Sequence, residues 1–175
     1  TAHTARLEYA LQPGALNESY SDIFGTIVAN VGNENPRTWD WLLGEKLMVG
    51  DKPFRDLQDP TRFGQPAHMD QFKVLPNTQP GDWGGVHTNS GIHNKVAYNL
   101  LTAEGPDHSL VLTPAEVAGV FYLALTQRLS RTSQFADSRR GTVASARTLF
   151  RTLTAEQRAA KVAAVDAAFV AVGIA

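Results

Sequence analysis

Two carboxylates pose the first chemical question of this chain. Glu18 and Asp22 lie four residues apart in the stretch GALNESYSDIFG, residues 14–25. On a helix, that spacing puts both on one side, one turn above the other. Asn17 is a candidate cap, and Tyr20, Ile23, Phe24, Ile27 and Val28 supply an apolar stripe that would press the helix onto a core. Carboxylates on a partly buried face are costly unless something positive lies opposite: a metal, an arginine or a protonated histidine. The plainer reading is a solvated face, or acidic residues favoured by the first turn of a helix.

A second group of residues follows in DWGGVHTNSG, residues 82–91. Two adjacent glycines let the backbone approach a neighbour closely. His87 then falls near a helix start, where the helix dipole disfavours the imidazolium unless a carboxylate such as Asp82 offsets it. A histidine so partnered can donate to a developing oxyanion. A capping loop that carries a surface histidine fits the same residues. His68 and His108 stand in polar loop sequence and are expected to be exposed, and His93 lies inside a helix. None of them has a second histidine three or four residues away, so no zinc-binding helix is encoded within these 175 residues.

These groups must be positioned by a chain long enough to bury one substantial core. A formal charge of −1 gives no argument for nucleic acid or an anionic membrane, and no run of eighteen apolar residues spans a bilayer. With no cysteine there is no disulfide and no thiolate metal site, so a metal would be held by His, Asp, Glu or backbone oxygen. No signal peptide is read at residue 1. Thr1 to Arg6 reads like mid-helix without a cap, so the chain is expected to begin inside an element, with residues 1–11 the tail of a helix that ends before Gln12-Pro13-Gly14. A helix is expected from Ala15 to Asn30, broken by Asn33, Asn35 and Pro36. Residues 39–85 are irregular, with short extended pieces such as Lys46 to Val49. Four helices follow, from Asn89 to Ala103, from the capping box Thr113-Pro114-Ala115-Glu116 to Leu129, from Ser133 to Phe150, and from Thr154 to Gly173. The expected class is all-α: a single-domain helix bundle with one long irregular insertion.

GALNESYSDIFG followed by DWGGVHTNSG resembles the thermolysin-like zinc metalloendopeptidases, and the similarity runs over essentially the whole chain. It corresponds to the α-helical C-terminal domain of those enzymes. The resemblance implies that Glu18 is the third protein ligand of a catalytic zinc. It makes Asp22 the carboxylate that orients a zinc-binding histidine. His87, partnered by Asp82, would stabilise the tetrahedral intermediate together with Tyr9. Arg55 would bind the substrate carbonyl, and Leu43, Leu47 and Phe54 would line an apolar pocket for the residue after the scissile bond.

The family's His-Glu-x-x-His helix and β-rich N-terminal domain are absent from these residues; Thr1 would fall just past the second histidine. The chain alone is therefore expected to be inactive and to hold zinc weakly. Its expected partners are a peptide or protein substrate and the family's N-terminal domain, with self-association through the face that carries Glu18, Phe54 and Tyr9. Secretion is implied by the resemblance. Calcium, which family members bind, could use Asp40 and Glu45, but Ala29 stands where a further acidic ligand is expected, which argues against it. The alternative is a binding or interaction domain that kept the fold without the chemistry.

Overall fold

The structure, a computed structural model, describes residues 1–45 and 50–175; Leu47 and the extended piece expected over Lys46 to Val49 fall outside the described residues. Among the described residues five helices dominate: α1 (Leu11–Ala29), α2 (Asp82–Leu101), α3 (Pro114–Gln127), α4 (Phe135–Leu149) and α5 (Ala155–Val170). Between α1 and α2 run short 3-10 turns and a small antiparallel hairpin of β1 (Leu42–Leu43) and β2 (Arg55–Asp56), which pairs Leu42 with Asp56 and Leu43 with Arg55. The all-α bundle with an irregular insertion is thus observed.

The start of the chain differs from expectation. Residues 1–10 form a turn and an extended run rather than a helix tail, pinned where Glu8 N donates to Arg131 O at 2.9 Å. Helix α1 then begins at Leu11 and runs through Pro13 and Gly14, which were expected to end a helix. A proline in a first turn removes only an N–H that has no partner within the helix, so it does not interrupt. Gly14 is there for space: a Cβ on it would lie 2.4 Å from Cγ1 of Val86, so the glycine lets α1 and α2 meet backbone to side chain. Because the helix starts earlier, Asn17 is interior and does not cap it; its Nδ2 donates to Leu7 O at 3.3 Å.

The apolar stripe of α1 is mostly as read. Tyr20, Ile23 and Ile27 are buried and Phe24 is half-buried, with Leu16 buried beside them, whereas Val28 lies on the outer face and is 68% exposed. Helix α2 contributes Ile92, Val96, Ala97, Leu100 and Leu101, and meets Phe121 of α3, Phe135 of α4 and Phe169 of α5 in one core. Helices α3 and α5 open on capping boxes in which Thr113 with Glu116, and Thr154 with Gln157, satisfy each other's backbone N–H groups. Among the described residues no helix is long and apolar enough to cross a membrane.

Candidate active site

The N-terminal end of α2 is built unusually. Asp82, Trp83, Gly84 and Gly85 all have positive φ, giving a left-handed turn ahead of the regular helix that begins at Val86. Left-handed backbone costs a non-glycine residue about 1–2 kcal/mol, so Asp82 and Trp83 are strained. The turn is held by Trp83 N to Thr78 O at 2.8 Å and Gly84 N to Pro76 O at 3.0 Å. Gly84 is packed against Leu11, whose Cδ2 would be 2.4 Å from a Cβ there.

What the strain achieves is the aim of one carboxylate. Asp82 Oδ2 accepts from the backbone N–H groups of His87 at 2.9 Å and Thr88 at 3.2 Å, capping the right-handed helix from within the left-handed turn. Its Oδ1 accepts from Nδ1 of His87 at 2.6 Å. The two sequence readings of this loop, a cap and an oriented histidine, are both true of the same aspartate. Since an ionised carboxylate only accepts, Nδ1 carries the proton and Nε2 points outward.

That outward nitrogen meets the first motif. Nε2 of His87 lies 2.9 Å from the Tyr9 hydroxyl and 3.4 Å from Oε2 of Glu18. Tyr9, 45% exposed, sits at the end of the extended segment just before α1. Partial burial first, and then the Glu18 carboxylate beside it, push its hydroxyl up to about 12, so it stays protonated and able to donate throughout the neutral range.

Asp22, one turn further along α1, is buried and accepts a hydrogen bond at each of its oxygens. Arg55 NH1 donates to its Oδ1 at 2.6 Å and Asn94 Nδ2 to its Oδ2 at 2.8 Å. Burial raises the Asp22 pKa above the ordinary carboxylate value, opposed by the charge of Arg55 and the donation from Asn94. The same guanidinium reaches toward Glu18, with NH2 at 3.8 Å from Oε2, and lies over the Phe54 ring at 5.2 Å. So β2 delivers Arg55 to the two carboxylates of α1. Phe54, partly exposed, and Leu43, half-buried, are joined across the hairpin by Phe54 N to Leu43 O at 2.9 Å.

The sequence-derived residues Tyr9, Glu18, Asp22, Arg55, Asp82 and His87 therefore form one connected cluster, with Leu43 and Phe54 on the strand pair beside it. Sequence reasoning missed Ser19, His93 and Asn94, which are buried and hold Asp22 from behind. His68, expected to be exposed in a loop, is partly exposed: its Nδ1 accepts from Asp70 N at 3.1 Å, and its ring lies against Gly173. His108 is on the surface as expected, paired with Glu104 at 3.1 Å.

Among the described residues no three His, Asp or Glu side chains converge on one point. Glu18 offers one oxygen in an open, partly exposed position, which fits a single corner of a tetrahedral site and not a complete one. Of the two acids considered for calcium, Asp40 turns its Oδ1 onto Leu42 N at 3.0 Å in a local turn.

An all-α domain thus carries a carboxylate, a carboxylate-oriented histidine and a tyrosine in one open cluster. Comparison with known proteins names the class: the chain belongs to the thermolysin metallopeptidase α-helical domain family, whose model matches residues 5–174. It is 42% identical over 174 residues to a bacillolysin of Bacillus amyloliquefaciens, covering 99% of this chain and 29% of that protein. It is 40% identical over 151 residues to a zinc metalloproteinase of Listeria monocytogenes, covering 85% of this chain and 26% of that one. Among solved structures, the precursor of protealysin, a metalloproteinase from Serratia proteamaculans, superposes with a TM-score of 0.78 at 29% identity, over 99% of this chain and 53% of its own. The chain thus spans well under two thirds of each of these relatives.

Proposed function

We propose that this chain is the C-terminal half of the active site of a secreted zinc-dependent endopeptidase, and that it contributes one zinc ligand, Glu18, and the donors that stabilise the oxyanion. The observation that carries the reading is the convergence of Glu18 Oε2 and His87 Nε2 at 3.4 Å, with the Tyr9 hydroxyl 2.9 Å from the same nitrogen. Three groups so placed can surround a single reacting carbonyl, and the family match supplies the reaction class. The remaining zinc donors and the general base come from outside these residues, which agrees with the greater length of the relatives. When bound, zinc polarises the scissile carbonyl and acidifies its water.

The chain's own residues do the rest. Asp82 fixes the His87 ring through Nδ1, so that a proton held on Nε2 points at the substrate oxygen. The Asp82 and Glu18 carboxylates flank the ring, with Asp82 Oδ1 2.6 Å from Nδ1 and Glu18 Oε2 3.4 Å from Nε2. Tyr9, protonated, gives a second hydrogen bond to the same oxygen. Arg55 is held by Asp22 at one NH group, leaving its other N–H groups to donate to a substrate carbonyl, and Leu43 and Phe54 line the pocket for an apolar residue after the cleaved bond. Asp22 orients a histidine zinc ligand supplied from elsewhere in the protein. The isolated chain, with one metal donor, is inactive and binds zinc weakly.

The test compares the full-length protein with this chain alone on a fluorogenic peptide that carries a leucine or phenylalanine after the cleavage site. The full-length protein should cleave it, lose activity to a zinc chelator and recover it with added zinc. The isolated chain should do none of these. Chelator-resistant cleavage by the full-length protein, or no cleavage of any peptide, would refute the assignment.

A further inference from the structure

Behind the cluster runs a hydrogen-bonded chain that crosses the core. The Tyr20 hydroxyl is 3.3 Å from Ser138 Oγ, which is 2.9 Å from Nε2 of His93. Nδ1 of His93 is 2.8 Å from Ser19 Oγ, and Ser19 Oγ donates to Asn94 Oδ1 at 2.6 Å. Asn94 Nδ2 donates in turn to Asp22 Oδ2. Tyr20, Ser138, His93, Ser19 and Asn94 are all buried. The His93 ring stacks on Phe135, with centroids 6.2 Å apart and planes 8° from parallel, and makes an edge contact with Phe121.

The direction of this chain follows from what each group can do. Asp22 needs donors, so Asn94 turns its NH2 toward the carboxylate and its oxygen toward Ser19. That oxygen needs a donor too, and the single hydroxyl proton of Ser19 must supply it. Ser19 then has no proton left for His93, so Nδ1 of His93 must be the donor to Ser19. Nε2 is left bare and accepts from Ser138, which accepts from Tyr20. Full burial keeps the ring neutral by pushing its pKa down to about 3. With the opposite tautomer, Nδ1 would draw the Ser19 proton to itself and set the Ser19 and Asn94 oxygens against each other at 2.6 Å with no hydrogen between them.

We infer that His93 is a positioning residue of the site. Fixed as the Nδ1–H tautomer, it compels the Ser19 hydroxyl to donate to Asn94 and thereby holds the Asn94 amide, and through it the Asp22 carboxylate, in the orientation that meets Arg55. This rests on the proposed role of Asp22, yet its first test does not. Long-range proton–nitrogen spectra of the His93 ring in the full-length protein should show a protonated Nδ1 and a bare Nε2. A protonated Nε2 with a bare Nδ1 would overturn the inference whatever the function of the protein.

The second test reads zinc affinity by competition with a chelator. Ser19→Ala and His93→Gln remove the donor to Asn94 and to Ser19 respectively, and each should weaken zinc about 10–100-fold, as loss of an outer partner of a metal site does. His93→Asn, whose amide can present an N–H where Nδ1 stood, should recover much of the loss, which a purely space-filling role would not explain. Wild-type zinc affinity in Ser19→Ala and His93→Gln, both folded by circular dichroism, would overturn the inference. Glu18→Gln serves as the reference: if it releases zinc while the Ser19 and His93 variants do not, only the His93 inference fails. If Glu18→Gln keeps zinc, the functional reading fails instead.

Discussion

Glu18→Gln in the full-length protein is expected to release zinc and abolish peptide hydrolysis while leaving the fold intact. The substitution keeps the shape of the side chain and removes only its charge. Glu18 is partly exposed and stands 3.8 Å from Arg55 and 3.4 Å from His87, contacts at the long end for ion pairs. Such pairs contribute about 0–1 kcal/mol, so unfolding should be nearly unchanged. The metal feels a different loss. Outer partners of a metal site change affinity by about 10–100-fold, and an anionic ligand contacts the ion itself, so the effect should exceed that range. Zinc content measured after dialysis against a weak chelator, beside a melting curve, separates the two. Stoichiometric zinc with full activity in this variant is incompatible with the assignment.

His87→Ala is expected to lower kcat about 100- to 1,000-fold, in the range reported for removing one oxyanion donor, with little change in KM. The Nε2 proton matters only once negative charge has formed on the substrate oxygen. The structure makes this variant unusually clean. The imidazole is on the surface, so no cavity forms, and Asp82 goes on capping α2 through the backbone N–H groups of residues 87 and 88. Tyr9 remains nearby as a second donor, which is why some activity should survive. A kcat within threefold of wild type, or a loss confined to KM, would show that His87 binds substrate without acting in the chemical step.

Much of the fold was legible because its signals are local. Thr113 with Glu116 and Thr154 with Gln157 announce helix starts through hydrogen bonds that span three residues, and both occur as read. The apolar spacing of Ile92, Val96, Leu100 and Leu101 marked the buried face of α2. The start of α1 was misjudged because Pro13-Gly14 has the composition of a turn. Pro13 is tolerated because it lies in the first turn of the helix, and Gly14 is there to admit Val86, a residue far along the chain that no local rule can see. Similarly, the left-handed turn at 82–85 has only its two glycines as a sequence signal; it is held by Trp83 and Gly84 N–H groups donating to the carbonyls of Thr78 and Pro76.

The candidate site divides the same way. Spacing alone put Glu18 beside Asp22 and suggested Asp82 for His87, and the resemblance added Tyr9 and Arg55. The support behind them went unread. His93 precedes Ala97 and Leu100 by four and seven residues, so it shares their buried face, and a buried histidine demands partners. That demand was visible in the sequence. The identity of the partners, Ser19 on α1 and Ser138 on α4, was not, because it depends on how three helices pack.

A crystal structure of the full-length protein grown with zinc would decide the matter. A zinc ion should lie about 2.0–2.2 Å from a Glu18 carboxylate oxygen, with the His87 ring and the Tyr9 hydroxyl facing the same open coordination position. Zinc bound away from Glu18, with that side chain still paired to Arg55 and His87 as it is here, would contradict the account.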